Sequence, residues 1–274
     1  YAKMRKRSYR YDESMIRLRI VPTLGHFRLN QLTRHQIQTF HTDLRTEGLA
    51  AATCDHHLKL LRSALNLAVQ WDMLDKNPIA TKLPLFREDN KLERYLTDEE
   101  LNRLLVVLRT YRARMVCNAM LFLLATGARL NEALQTRWEH IDKANRTWRI
   151  PAKNSKSKRV RSVPLNDAAL EVLANLGTEG KHEYLFVNLK TAARLTVVNT
   201  VWGRIRVAAG LPKLRIHDLR HQHASMLVNS GRSLYEVQQI LGHSDPSVTQ
   251  RYAHLSTRTL QDAANSASEK IAEV

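Results

Sequence analysis

Helical periodicity runs through almost the whole of this chain and fails in two places, and those two failures fix what it can fold into. Apolar residues recur at three- and four-residue spacing from Thr33 onward, except between Thr81 and Arg94 and again from Arg137 to Leu165. The first gap, TKLPLFREDNKLER, carries Pro84 and mixed charge, as a connector between domains does. The second, RWEHIDKANRTWRIPAKNSKSKRVRSVPL, breaks into short segments at Trp138 to Ile141, Thr147 to Pro151 and Val160 to Val163. Their spacing predicts a small antiparallel sheet of three strands. Only nine Gly and seven Pro in 274 residues leave little room for a fold rich in tight turns. The expected fold is therefore mainly α with a small antiparallel three-stranded sheet, divided into a helical domain over 1–82, a linker over 83–94 and a second domain over 95–274.

Local signals place the helices. Thr33 with Gln36, and Thr97 with Glu100, are capping boxes, each followed by an apolar stripe: Ile37, Phe40 and Leu44 in one case, Leu101, Leu104, Leu105 and Leu108 in the other. Leu58, Leu61, Leu65 and Val69 align along a helix from about Ala51 to Trp71, and an earlier helix is expected over Tyr11 to Ile20, ahead of a turn at Pro22 to Gly25. The last segment, Thr257 to Val274, keeps Leu260, Ala264, Ala267 and Ile271 at helical spacing and reads as an exchangeable terminal helix. The longest apolar run, AMLFLLATG, is too short to cross a membrane. Cys54 and Cys117 make no disulfide framework, and no secretory apolar segment opens the chain, so a reducing cytoplasmic setting is expected. The abrupt start at Tyr1 reads as the interior of a longer protein.

Charge points to the partner. Lys and Arg number 43 against 26 Asp and Glu, a net charge of +17, which calls for a polyanion. Basic runs at KMRKR and KNSKSKRVR could each be a solvated face, and a positive patch alone does not choose among DNA, RNA and membrane.

Three short motifs narrow the chemistry. TGARLNEAL holds Arg129 and Glu132 three apart, IHDLRHQHASMLV holds His217 and Arg220 three apart, and LGHSDPSVTQRYAHL holds His243 and Tyr252. Taken singly, Arg129 and Glu132 would be a surface ion pair, and Tyr252 a packed ring. His217 and His221 are spaced i,i+4, but the residues between them do not supply the His-Glu-x-x-His pattern of a zinc site. Together, two arginines, two histidines, a tyrosine and a lysine-rich hairpin form the set that metal-free phosphodiester transfer needs. Guanidinium forks at Arg129 and Arg220 suit the charge that builds on two non-bridging oxygens. A phenol at Tyr252 is more easily activated than an aliphatic alcohol. A hairpin lysine, Lys153, Lys156 or Lys158, can protonate a departing sugar oxygen.

These boxes resemble those of the tyrosine recombinases, or lambda-type phage integrases, over nearly the whole chain. TGARLNEAL resembles the family's first arginine box, HDLRHQHAS its His-x-x-Arg box, and LGHSDPSVTQRYAHL its final box, with the nine-residue offset from His243 to Tyr252. The resemblance implies a catalytic tyrosine recombinase fold preceded by a small helical core-binding domain, to which PTLGHFRL and AVQWDMLDKNPI are similar. It implies Arg129 and Arg220 on the phosphate, His217 as general acid/base, His243 as a hydrogen-bonding group, Tyr252 as nucleophile and Glu132 as a supporting acid. Counting back from Val163 in the hairpin selects Lys156 as general acid, with Lys153 and Lys158 as alternatives; Lys153, Lys158, Arg159 and Arg161 are expected to touch DNA. Further implications are duplex attachment sites as partner, a tetramer on DNA with a monomer in free solution, accessory DNA-bending or directionality proteins, and a bacterial, nucleoid-associated setting. No metal or cofactor is expected, and an upstream domain binding arm sites would precede Tyr1. The alternatives are a type IB topoisomerase, a DNA-binding protein without catalysis and a metal-dependent nuclease.

Overall fold

The computed structural model describes residues 1–6, 8–86, 94–155 and 158–256, together with Gln261 and Asn265. The chain divides into two compact units, Tyr1–Lys91 and Leu92–Val274.

The first unit is built on two helices, α1 (Arg34–Thr46) and α2 (Ala51–Gln70). Thr33 caps α1 as its sequence demands: the side chain accepts from the Gln36 amide while Gln36 reaches back to Thr33. Ile37, Phe40 and Leu44 pack on Leu58, Leu61 and Leu65, with Ile20, Leu24, Ile79 and Leu83 closing the core. Leu83 lies in that core, and the Phe86 amide donates to the buried Asp55 carboxylate at 3.1 Å. The unit thus runs beyond residue 82, because the start of the aperiodic stretch has apolar and polar partners of its own.

A second difference lies at the Pro22 turn. Helix Tyr9–Met15 continues as a π-helical turn over Ile16–Ile20 and resumes over Val21–Leu24, so the chain does not turn at Pro22. Proline lacks an amide proton and its ring collides with the carbonyl four residues back. The wider turn, in which the Val21 amide reaches Ile16 O, ends next to Pro22, where the chain enters the helix Val21–Leu24 with proline in its first turn.

In the second unit, helices α3 (Asp98–Thr110), α4 (Arg114–Thr126) and α5 (Leu130–Leu134) precede the sheet. Strands β1 (Ile141–Asp142), β2 (Thr147–Ile150) and β3 (Arg161–Pro164) pair antiparallel in that order, with Trp148 opposite both Ile141 and Val163. The expected first strand is mostly a 3-10 turn over Trp138–His140, leaving only Ile141–Asp142 extended. There the Trp138 amide pairs with Glu183 O, outside the sheet, and its indole N–H donates to Thr178. Helices α6 (Asp167–Ala174), α7 (Asn199–Ala208), α8 (Ile216–Asn229), α9 (Leu234–Leu241) and the short α10 (Ser247–Gln250) complete the unit. Trp148, Phe122 and Phe186 form an aromatic centre with ring centroids 5.1 and 5.7 Å from Phe122. Helix α8, the spine of this unit, packs along α4 and ends beside α9. Of the predicted terminal helix only Gln261 and Asn265 are described, both helical; Leu260 and Ile271 lie outside the described residues, as does Lys156.

Candidate active site

Helix endings build this site. Helix α4 stops at Gly127 and α9 at Gly242, both in the left-handed conformation with φ +63° and +66°. Space as well as backbone requires glycine here. A Cβ at Gly127 would come within 2.5 Å of the His223 ring, and one at Gly242 within 2.7 Å of the Arg161 side chain. The two terminal turns sit close enough for one side chain to tie them together. Arg220, on α8, donates from Nη1 to Gly127 O at 2.7 Å and from Nη2 to Leu241 O at 2.9 Å, satisfying a carbonyl at each helix end. It is 3% exposed. Burial, then the charges of Arg129 and Arg161, pull its pKa down to about 9, so it stays cationic at neutral pH.

Arg129 precedes α5 and is held twice by Glu132: its amide donates to Oε2 at 3.1 Å and its Nη1 to Oε1 at 2.9 Å. This is no surface pair. Glu132 is 2% exposed and also receives Arg161 Nη2 at 2.8 Å. Burial opposes ionisation of Glu132, but Arg161 beside it, helped by Arg129, holds its carboxyl below the usual range. Arg161 in turn donates to Ile240 O at 2.9 Å, so it braces the end of α9 from the sheet side. The sequence suggested Arg161 only as a DNA contact. Its partners lie 29 and 79 residues away, and nothing in the local basic run announces them.

Past Gly242 the chain delivers His243 and Tyr252. The His243 ring meets the Thr249 hydroxyl through Nδ1 at 2.8 Å. Tyr252 is 1% exposed, its ring packed with Ala224, Val228, Val237 and Leu241, while its hydroxyl reaches His221 Nδ1 at 2.7 Å. Arg129, His217, Arg220, His221, His243 and Tyr252 all line one cleft of about 310 Å³. The sequence did not single out His221 beyond its spacing from His217; that spacing, which sets the two rings edge to face at 4.9 Å, was the available signal.

The hairpin residues are placed differently. Lys153, Lys158 and Arg159 are exposed, Lys158 in a left-handed turn conformation, and Arg161 alone of the four expected DNA contacts enters the cluster described above.

The arginine cluster depresses the surrounding histidines. Burial, reinforced by Arg220, lowers His217; burial and then Arg220, Arg129, Arg161 and Arg251 bring His243 to about 3. His221 and His223 fall to about 4, chiefly through burial. All four rings are neutral in the free protein at neutral pH. A histidine titrating near 6.5 in the unfolded chain but near 4 when folded binds its proton first in the unfolded state. Stability is therefore whole above pH 6.5 and falls as pH drops toward 4, by about 1.4 kcal/mol per pH unit for each such ring. Denaturant melts from pH 7.5 to 4.5 should show that slope, and replacing buried His223 with Gln should reduce it.

Residues 94–258 match the phage integrase family and residues 2–45 match a phage integrase N-terminal SAM-like domain. The chain belongs to the phage integrase family of tyrosine recombinases. It is 32% identical over 227 residues to the integrase of Salmonella phage P22, covering 78% of this chain and 57% of that relative. Tyrosine recombinase XerC of Pediococcus pentosaceus is 28% identical over 245 residues, 84% of this chain and 80% of that protein. The structure of the Tn1549 transposon integrase in complex with circular intermediate DNA superposes with a TM-score of 0.77 at 20% identity, over 96% of each chain. For this tyrosine recombinase the sequence boxes and the cleft coincide, since the three motifs supply most of its lining. Among the described residues no helix is long and apolar enough to cross a membrane.

Proposed function

We propose that this chain is a site-specific DNA recombinase that cuts and rejoins duplex DNA through a 3′-phosphotyrosyl intermediate, for integration or excision of a mobile element. The observation that carries the reading is the convergence of Arg129, His217, Arg220, His243 and Tyr252 on one cleft, in a member of the phage integrase family. Arg129 and Arg220 hold the non-bridging oxygens of the scissile phosphate, where their fixed charge is worth most as negative charge builds. The Tyr252 oxygen bonds to phosphorus, the bond from phosphorus to the 5′ oxygen breaks, and a 3′-phosphotyrosyl link forms. His217 takes the phenol proton and a hairpin lysine gives one to the departing 5′ oxygen. His243, neutral and held by Thr249, hydrogen-bonds the phosphate. The free 5′ hydroxyl then reverses the step on the partner strand.

Four protomers on two paired attachment sites, with accessory DNA-bending or directionality proteins, complete the reading, in a bacterial cytoplasm and without metal or cofactor in the chemistry. Its support is the family's reaction and a net charge of +17 suited to a polyphosphate. The test is covalent trapping: nicked duplexes drawn from DNA flanking the gene, incubated with the protein in chelator and separated under denaturing conditions. A protein–DNA adduct is expected, and tight binding with no adduct would overturn the reading.

Lys156 is the general acid in this scheme, with Lys153 and Lys158 as alternatives. Replacing the 5′-bridging oxygen with sulfur gives a leaving group that needs no proton. Each lysine is changed to Ala and cleavage of oxygen and sulfur substrates compared. The lysine whose loss costs about 10²–10⁴-fold on oxygen, but little on sulfur, is the acid; we expect Lys156.

A further inference from the structure

The mechanism above leaves one contact in the cleft without a task. His221 and Tyr252 are both buried, and Nδ1 of His221 lies 2.7 Å from the Tyr252 hydroxyl. The imidazole comes from the middle of α8, one residue after Arg220, whose guanidinium is tied to two helix ends. The phenol therefore rests on the same rigid element that places the phosphate-binding arginine. The tyrosine itself comes from the short segment between α10 and the 3-10 turn over Ala253–Ser256.

We propose that His221 is the positioning residue of the nucleophile: its Nδ1–H donates to the Tyr252 oxygen, fixing the phenol in the cleft and favouring its deprotonated form. This rests on the reading of Tyr252 as nucleophile. The bond changes remain those of the cleavage step, with the phenol proton passing to His217 and His221 neither gaining nor losing one. A donor aimed at the oxygen binds the phenolate more strongly than the phenol, so the contact strengthens as the nucleophile forms. The groups facing His221 are consistent with a neutral donor: His217 stands edge-on at 4.9 Å, Arg251 and Arg215 bring positive charge, and Asp218 brings a partly opposing negative one.

The test separates this role from support of the fold. A strand ending in a 3′-(4-nitrophenyl) phosphate can be joined to a 5′ hydroxyl without the tyrosine, because nitrophenolate leaves in its place. His221→Phe, which loses the donor, is expected to slow covalent adduct formation about ten- to hundredfold, as loss of a hydrogen bond to a charged group does. Joining of the nitrophenyl strand should stay near the wild-type rate. His221→Asn, whose amide keeps a donor, should recover most of the cleavage, and the rising limb of the cleavage pH profile, where the nucleophile loses its proton, should move to higher pH in His221→Phe alone. Cleavage by His221→Phe at the wild-type rate, an equal fall in both half-reactions, or no recovery in His221→Asn would each overturn the proposal. Failure of the wild type to form any adduct would instead overturn the assignment of Tyr252, and this inference with it.

Discussion

Tyr252→Phe is expected to abolish the denaturant-resistant adduct on nicked duplex while leaving duplex affinity almost unchanged. Affinity for DNA comes mainly from neutralised phosphates, to which an uncharged phenol contributes little. Stability should fall slightly. The ring keeps its packing against Ala224, Val228, Val237 and Leu241, but His221 loses a partner at a buried site. An unpaired buried polar group costs about 1–3 kcal/mol, and about 2–4 °C of melting temperature per kcal/mol for a unit of this size. Gel separation under denaturing conditions, filter binding and a thermal melt read these three quantities separately. An adduct persisting in Tyr252→Phe would transfer the nucleophile to another residue; binding lost with the adduct would mean that the change disturbs more than the hydroxyl.

Arg220→Met should show the second large effect, and here two terms oppose each other. In the free protein Arg220 is a buried cation whose charge is disfavoured by burial and by Arg129 and Arg161. Removing this cation therefore relieves both its desolvation and its repulsion from Arg129 and Arg161. Against this, Gly127 O and Leu241 O lose their donors, each at a cost of about 1–3 kcal/mol. The two contributions are of similar size, so the melting temperature should move little. Activity has no such compensation. Loss of a preorganised donor on the developing phosphate charge costs about 10²–10³-fold, and loss of a full positive charge should cost at least as much. Single-turnover adduct formation reads the effect. Arg220→Lys keeps the charge but lacks the fork that spans two carbonyls, and should be nearly as slow. A variant active to within tenfold would show that Arg129 alone carries the phosphate.

The parts of this molecule that could be read from sequence are those fixed by neighbours in the chain. The Thr33 and Thr97 capping boxes close within three residues, and both helices begin where those residues place them. Gly127 and Gly242 end helices because a left-handed turn is needed there. Misreadings arose where distant partners decided. Trp138 suits a strand by composition, yet its amide and indole are claimed by Glu183 and Thr178. Pro22 signals a turn, but a widened helical turn lets the helix pass it. Within the site, the three motifs exposed Arg129, His217, Arg220, His243 and Tyr252 through spacing on one helix or one turn. Arg161 and His221 stayed hidden. Successive residues on a helix point about 100° apart, so the position after Arg220 looks unrelated to it until Tyr252 arrives from the following segment.

Arg129, His217, Arg220, His243 and Tyr252 line one cleft within a single chain, so under the proposed function each subunit carries its own nucleophile and phosphate-binding groups. On that reading assembly serves to bring sites together. Under the four-protomer reading, the two outputs must respond differently to dilution with a dead subunit. Strand cutting declines in proportion to the fraction of live chains, whereas a finished exchange, needing four live chains at once, declines as the fourth power of that fraction. A cell carrying both forms would keep nicking its sites long after it had ceased to recombine them.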